Sequence, residues 1–266
     1  MKILLTTACI FAIYLFQPVC LYAQYNPEIK NLVWSDEFDG NGLPDSTKWT
    51  YEEGYIRNSE LQYYTKENKK NVTREKGVLV IEARKEKKGE HPITSGSINT
   101  LGKRSFFYGR IEVCAKLPLG LGSWPAIWMM GTDIRDVGWP RCGEIDIMEH
   151  VGYEPGKIHA NVHTPGSKKD ASKIKTENSI LIEDVHSEFH VYAMEWTPDK
   201  LDFFVDGVKY HTYKKDPALG DDYWRFDKPQ YLLLNLAFGG AWGGLQGVDE
   251  ESLPLRYYID WVRYYQ

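Results

Sequence analysis

Cysteine is scarce in this sequence. It has four cysteines in 266 residues, and two of them, Cys9 and Cys20, lie within the first twenty. The remaining two, Cys114 and Cys142, are too few for a disulfide-stabilised scaffold or for a zinc site built from cysteines. The sequence leaves open whether these two pair with each other. Because no His, Cys and acid cluster has metal-ligand spacing either, we expect catalysis to need no cofactor.

Long apolar runs are also missing, except at the N-terminus. The charged start, Met1-Lys2, is followed by an apolar run from Ile3 to Phe16, shorter than the roughly 20 residues of a membrane-spanning helix. We therefore predict a cleaved signal peptide at residues 1–23 and a single mature domain at residues 24–266. The protein would then be secreted, periplasmic or at the cell surface. Cys20 leaves a lipoprotein anchor as the alternative, although the preceding residues match a lipoprotein signal poorly.

A strong charge of either sign is absent as well. The formal net charge is −5, and loss of Lys2 with the signal peptide would make it −6. This mild acidity argues against nucleic acid and other anionic polymers as ligands. No linker, repeat or low-complexity tract marks a second domain, and we expect a monomer.

Helical periodicity is hard to find beyond a turn or so near Ile182 to Phe189, whereas short strand patterns bounded by turn residues are frequent. Asp206-Gly207 between two apolar runs is typical of a two-residue β-hairpin. Many strands without helical crossovers predict an all-β sandwich, jelly roll or barrel. The candidate strands are Leu79–Ala83, Gly109–Lys116, Trp124–Met130, Gly143–Glu149, Ile158–His163, His190–Trp196, Leu201–Val205, Tyr231–Ala237 and Tyr257–Tyr265.

One of these strands concentrates carboxylates. Glu144 and Asp146 share a face of the predicted strand, and strict alternation would turn Glu149 to the opposite face. A bulge near Met148 would return Glu149 to the face of the other two acids. Since no Lys or Arg interrupts the set, we favour a functional site over a solvated strand face. Paired carboxyl groups of this kind are typical of glycosidic bond cleavage, with either retention or inversion depending on their separation.

Tryptophans near this strand support a carbohydrate site, because the C–H faces of a sugar pack on an indole ring. Trp124 and Trp128 precede the acidic strand, while Trp139 and Trp242 lie in segments rich in Gly and Pro. We interpret Trp139 and Trp242 as substrate platforms. Four other tryptophans are predicted to belong to the core: Trp34, Trp49, Trp196 and Trp261.

The segment Glu144-Ile145-Asp146-Ile147-Met148-Glu149 resembles the signature of glycoside hydrolase family 16. Similar neighbouring motifs, which favour the laminarinase (endo-1,3-β-glucanase) branch, are Trp124–Met130, Trp139–Gly143, Asn58–Tyr64, Asn235–Gly240 and Ile259–Arg263. The resemblance implies a concanavalin- or lectin-like β-jelly-roll sandwich with a concave cleft. It also implies retaining hydrolysis of 1,3-β-glucan, with Glu144 as nucleophile, Glu149 as acid/base and Asp146 as the assisting carboxylate.

The same resemblance implies further site residues. Asn58 and His163 would lie in or beside the cleft, with a structural role as the alternative for His163. Glu37, the carbonyl of Gly77, and Asp260 would hold a structural calcium ion, oxygen ligands being suited to a hard cation. Asp260 could instead be an ordinary acid at a strand edge. Ser97 departs from the family, since many laminarinases have an Arg there.

Three other functions remain open at this stage. Two belong to the same family, namely activity on mixed-linkage 1,3-1,4-β-glucan and activity on algal galactan. The third is a non-catalytic carbohydrate-binding jelly roll. A binding module needs aromatic side chains but has no use for three convergent acids, which argues against the third.

Overall fold

Two β-sheets form the framework of the fold. The structure is a computed structural model and describes residues 29–170, 172 and 178–266. The predicted signal peptide lies outside these residues. The ten-stranded sheet contains β1 (Leu32–Asp36), β3 (Gln62–Tyr64), β4 (Val72–Glu75), β5 (Val78–Lys88), β6 (His91–Ser95), β8 (Gly109–Lys116), β13 (His190–Trp196), β14 (Lys200–Val205), β15 (Val208–Lys214) and β17 (Leu255–Tyr265). The seven-stranded sheet contains β2 (Thr50–Tyr51), β7 (Ser97–Asn99), β9 (Ser123–Gly131), β10 (Glu144–Glu149), β11 (Lys157–His163), β12 (Ser179–Leu181) and β16 (Gln230–Phe238).

Strand order places β10 well inside the seven-stranded sheet. The order is β12-β11-β10-β9-β16-β7-β2, and every pairing in it is antiparallel. The other sheet runs β15-β14-β13-β8-β17-β5-β6-β3, with β1 on β17 and β4 on β5. Because β10 has a hydrogen-bonded neighbour on each side, its side chains are held at well-defined positions.

The strands predicted from sequence are all present, with ends that differ by a few residues at most sites. The Asp206-Gly207 hairpin is confirmed: it joins β14 to β15 with φ values of 49° and 78°, as a type I′ turn requires. The single turn predicted between 182 and 189 is present too, since the Asp184 carbonyl accepts from the N–H groups of Ser187 and Glu188. Three short helices were not predicted: α1 (Ile134–Val137), α2 (Pro165–Lys169) and α3 (Gly240–Gly243).

The main core fills the space between the sheets. Strand β10 contributes Ile145, Ile147 and Met148 to it, each at most 1 % exposed. The opposite face of the seven-stranded sheet carries a second apolar cluster, formed by Ala126, Trp128, Met130, Cys142, Tyr231 and Leu233. This sheet is therefore covered on one face by the core and supports side chains of mixed character on the other.

The predicted core tryptophans behave as expected. Trp49, Trp196 and Trp261 are buried, and Trp34 packs against the core. Cys142 is buried and free, so the open question of a Cys114–Cys142 pair is answered in the negative. Within the described residues, no helix has the length and apolar character needed to cross a membrane.

Candidate active site

A bulge in β10 places three carboxylates on one face of the sheet. Glu144 and Asp146 lie opposite Met130 and Trp128 of β9, but Met148 lies opposite Ile127 and Glu149 opposite Ala126. The register therefore shifts between Asp146 and Met148. The extra residue turns the side chains that follow it to the opposite face from the one that strict alternation would give them. Ile147 and Met148 both enter the core. The predicted bulge is confirmed, and Glu149 lines the same cleft as Glu144 and Asp146.

The cleft above these acids has a volume of ≈ 830 Å³. It contains every residue for which the sequence predicted contact with substrate: Asn58, Trp124, Trp128, Trp139, His163 and Trp242. These residues come from β9, β11, α3 and two loops, and the fold brings them to one surface. A cleft of this size accommodates a chain of several sugar rings.

Trp139 and His163 lie next to the carboxylates of Glu144 and Asp146. The indole Nε1 of Trp139 donates a hydrogen bond of 2.6 Å to Oε2 of Glu144. His163 lies in β11, directly opposite Glu144. Its Nε2 is 3.8 Å from Oε1 of Glu144 and 3.3 Å from Oδ2 of Asp146. Trp139 remains 46 % exposed, so its ring face is available to a ligand while its edge orients Glu144.

Glu149 is held from the other end of the strand by Trp124. The indole Nε1 of Trp124 donates a 3.0 Å hydrogen bond to Oε1 of Glu149. Trp124 in turn meets Trp242 edge to face, with ring centroids 5.5 Å apart. Trp242 also packs edge to face against His159, which lies opposite Glu149 on β11. Two aromatic groups thus flank the acids, one beside Glu144 and one beside Glu149.

Trp128 lies on the cleft floor and has no open ring face comparable to that of Trp139. It is 6 % exposed, its Nε1 donates to Asn235, and the guanidinium of Arg57 lies 4.9 Å from its ring centroid. Arg57 forms an ion pair with Glu52. Trp128 therefore supports Arg57 rather than presenting a platform of its own.

Sequence reasoning missed several charged residues that line the cleft. Glu52, Arg57 and Lys168 all line the cleft, and Lys168 lies 5.0 Å from the Trp139 ring centroid. The hydroxyl of Ser97 donates a 2.6 Å hydrogen bond to Glu52. Ser97, the position that departs from the family, thus helps to hold the Glu52–Arg57 pair. The adjacent motif Asn58–Tyr64 was the only sequence signal near Arg57.

Asn58 is positioned by a buried acid. Its side-chain amide donates to Glu60 at 3.2 Å, and Glu60 also accepts from Gln62 and Tyr64. Glu60 is 3 % exposed, and burial raises its pKa. This network anchors the loop that carries Asn58 at the edge of the cleft.

Burial raises the pKa of each of the three acids on β10. Burial, and then the charge of Asp146, raise the pKa of Glu144 to about 8, against the opposing effects of His163 and the Trp139 hydrogen bond. Burial raises the pKa of Asp146 to about 7. Burial, and then Asp146, raise the pKa of Glu149 well above its usual range. The cluster therefore holds protons at neutral pH, which a carboxylic acid needs in order to act as a proton donor.

The residues expected to hold calcium belong to the ten-stranded sheet and its loops, and they do not line the cleft. Both carboxylate oxygens of Glu37 accept from Arg263, at 3.1 and 2.8 Å. Asp260 lies in β17, where burial and then the charge of Glu37 raise its pKa to about 6. Gly77 is in the turn between β4 and β5, with φ of 84°. Arg263 opposes this rise in the pKa of Asp260.

Comparison with known proteins agrees with this geometry. The family model described as Glycosyl hydrolases family 16 matches residues 59–263. A beta-glucanase of Rhodothermus marinus is 46 % identical over 244 residues, which are 88 % of this chain and 85 % of that protein. The X-ray structure of the laminarinase from Rhodothermus marinus superposes with a TM-score of 0.83 at 44 % identity, covering 88 % of this chain and 96 % of the other.

Another similar protein has a solved structure with a bound oligosaccharide. It is SCLam, described as a non-specific endo-β-1,3(4)-glucanase, with a TM-score of 0.83 at 41 % identity, covering 94 % of this chain and 99 % of the other. These superpositions confirm the predicted β-jelly-roll sandwich. From its matched residues, its two-sheet fold and its relatives, the chain belongs to family 16 of the glycosyl hydrolases.

Proposed function

We propose that this protein is a secreted endo-β-glucanase that hydrolyses 1,3-β-glucan with retention of configuration. The observation that carries the proposal is the β10 bulge, which places Glu149 on the same face as Glu144 and Asp146. Laminarinases and a beta-glucanase among the similar proteins support the substrate class. The signal-peptide pattern in residues 1–23 supports secretion.

In the first step, Glu149 protonates the glycosidic oxygen while the Glu144 carboxylate attacks the anomeric carbon. The glycosidic bond breaks, an ester forms between the sugar and Glu144, and the leaving chain keeps the proton of Glu149. The Trp139 hydrogen bond occupies Oε2 of Glu144, so Oε1 is the oxygen that we assign to attack. Ionised Glu144 keeps Glu149 protonated, because the like charge nearby disfavours a second negative group.

In the second step, Glu149, now ionised, accepts a proton from water as that water attacks the anomeric carbon. The ester bond breaks, Glu144 leaves as a carboxylate, and the product retains its β configuration. Asp146 lies between the two glutamates along β10 and, through its charge, raises the pKa of both. We assign it the role of assisting carboxylate, which tunes the pH at which the pair works.

Substrate would lie along the cleft across the two aromatic groups. Trp139 at one end and Trp242 at the other would each pack against a sugar ring, while Asn58 and His163 would bind hydroxyl groups. A 1,3-β-glucan is a curved chain, and separated platforms would hold successive rings at different orientations.

The substrate assignment is tested by comparing laminarin, lichenan and agarose at equal mass concentration. We expect the highest kcat/KM on laminarin, with lichenan second, because lichenan contains some 1,3-linkages. Faster hydrolysis of agarose or of a strictly 1,4-linked glucan would overturn the linkage assignment and leave the acid chemistry intact. The second candidate, activity on both linkages, is favoured by the likeness to the non-specific glucanase SCLam, and equal rates on laminarin and lichenan would establish it.

A non-catalytic binding module is the remaining alternative. It predicts that laminarin binds but that no reducing ends appear over time. Release of reducing ends by the unmodified protein, abolished in Glu144→Gln, would exclude it. We further propose that the protein is a monomer and that calcium binds near Asp260 as a structural ion with no part in the reaction.

A further inference from the structure

Three side chains in the cleft form a compact set of metal-ligand atoms. One oxygen of Glu144, one of Asp146 and one ring nitrogen of His163 all lie within 4.8 Å of one another. His163 Nε2 lies 3.3 Å from Asp146 Oδ2 and 3.8 Å from Glu144 Oε1. Ligand bonds of about 2.0–2.2 Å in a tetrahedron separate neighbouring ligand atoms by roughly 3.3–3.6 Å. The preorganised spacing is close to what a tetrahedral Zn²⁺ requires.

A second observation points into the same place. Asp146 is 2 % exposed, and its Oδ2 forms no hydrogen bond although His163 Nε2 is so near. A buried carboxylate oxygen without a donor is costly, and it marks a position at which a ligand would be favourable. Trp139 binds Oε2 of Glu144, which leaves Oε1 directed toward His163. Oε1 of Glu144, Oδ2 of Asp146 and Nε2 of His163 are therefore all close to one point in the cleft.

We propose that Zn²⁺ binds reversibly to Glu144, Asp146 and His163 and inhibits the enzyme by occupying the nucleophile. One imidazole nitrogen and two carboxylate oxygens form a set that Zn²⁺ accepts, with the fourth position open to the cleft. A hard ion such as Mg²⁺ prefers octahedral oxygen ligands and retains its water, so the site discriminates against it. The inhibitory effect rests on the proposed role of Glu144, whereas binding itself does not.

Substrate and Zn²⁺ would then compete. The metal would lie on Oε1 of Glu144, the oxygen assigned to attack, so a sugar could not reach the anomeric position while the ion is bound. Inhibition would raise KM and leave kcat unchanged, and excess chelator would reverse it. The alternative is that the cluster is purely structural, with His163 contacting the two carboxylates, and this alternative predicts no zinc site.

Calorimetric titration of the full mature protein with Zn²⁺, alone and after saturation with a laminarin oligosaccharide, tests the site without relying on turnover. We expect one Zn²⁺ per chain, and competition with the oligosaccharide. In His163→Asn and, independently, in Glu144→Gln, the zinc affinity should fall at least tenfold. The matched control is His159→Asn, another histidine of the same cleft, which should keep the zinc affinity of the parent. Mg²⁺ is the matched ion control and should give no binding in the cleft.

Equal zinc affinity in the parent, His163→Asn and Glu144→Gln proteins would overturn the proposal, as would zinc binding that the oligosaccharide does not displace. Folding of each variant is checked by its melting curve, and the two variants remove ligands from different strands. If laminarin is not hydrolysed but one Zn²⁺ still binds and is lost in both variants, the function proposed above fails and the zinc site stands. If laminarin is hydrolysed and Zn²⁺ neither binds nor inhibits, only the zinc site fails.

Discussion

Trp139 contributes two different groups to the cleft, an indole N–H and an exposed ring face. The N–H donates to Glu144 and favours the ionised form of that carboxyl. The ring face, in a side chain that is 46 % exposed, is open for stacking on a sugar. The substitution Trp139→Phe separates the two roles, because phenylalanine keeps an aromatic face and has no donor.

In Trp139→Phe, we expect the pKa of Glu144 to rise. Since the nucleophile must be ionised, the limb on which kcat/KM increases with pH should move to higher pH by roughly one unit. Trp139→Ala should in addition lower kcat/KM by roughly 10- to 100-fold through loss of the stacked ring. The control Trp242→Phe should leave the limb in place. A pH profile of Trp139→Phe identical to that of the parent would contradict this role.

Glu144 also affects stability. Its pKa is raised to about 8 in the folded protein, against roughly 4.3 in an unfolded chain. Between these two values the folded state retains a proton that the unfolded state has lost, so the free energy of unfolding falls as pH rises. An active-site acid held in this way makes the protein less stable at neutral and alkaline pH.

Glu144→Gln should therefore be more stable than the parent at pH 8 and similar to it at pH 4. The gain cannot exceed about 1.4 kcal/mol per pH unit over this window, and each kcal/mol corresponds to roughly 2–4 °C in melting temperature for a protein of this size. Calorimetry at both pH values measures it, with the exposed acid change Glu183→Gln as control. A lower melting temperature of Glu144→Gln at pH 8 would refute the sign.

Strand β10 serves both the core and the cleft with six residues. Its inner face contributes Ile145, Ile147 and Met148 to the core, and its outer face contributes the three acids. The bulge is what allows two consecutive core residues between Asp146 and Glu149. The element is therefore under two constraints, one on packing and one on the direction of the acids.

Deleting Met148 should be tolerated better than replacing it with proline. Deletion leaves a regular strand with acids at alternate positions, and hence still on one face. Met148→Pro keeps the extra residue and places a proline, which lacks an N–H, in an inner strand. We expect cooperative unfolding and reduced hydrolysis for the deletion, and loss of soluble folded protein for the proline variant. The opposite ranking of melting temperatures would show that the sheet needs the extra residue more than it needs an N–H group at position 148.

For the whole molecule, the sequence predicted the features that depend on local pattern. Alternation in β10 indicated the shared face of Glu144 and Asp146, and Asp206-Gly207 indicated a hairpin. Contacts between distant segments left no such signal. Arg57 meets Trp128, and Lys168 meets Trp139, only because the fold brings their loops to one sheet face. The three helices are at most five residues long, too short to give a helical periodicity.

Calcium is expected to act on the stability of the whole fold. If an ion binds near Asp260, chelator should lower the melting temperature. The free energy of unfolding should fall by about 2.7 kcal/mol when the calcium removed was present at 100 times its dissociation constant. Hydrolysis at low temperature should change little. Asp260→Asn should melt at the same temperature with and without chelator. If the melting temperature of the parent protein is the same with and without chelator, no structural calcium ion is bound.

Azide exchange tests the two proposed roles directly, Glu144 as nucleophile and Glu149 as acid/base. In Glu144→Ala, azide should occupy the vacated face and give an α-glycosyl azide. In Glu149→Ala, azide should attack the ester formed on Glu144 and give a β-glycosyl azide, with turnover best kept on substrates whose leaving groups need no protonation. NMR of the azide products measures the anomeric configuration. We expect the α-azide from Glu144→Ala and the β-azide from Glu149→Ala, and the exchanged pattern would show that the two roles are reversed.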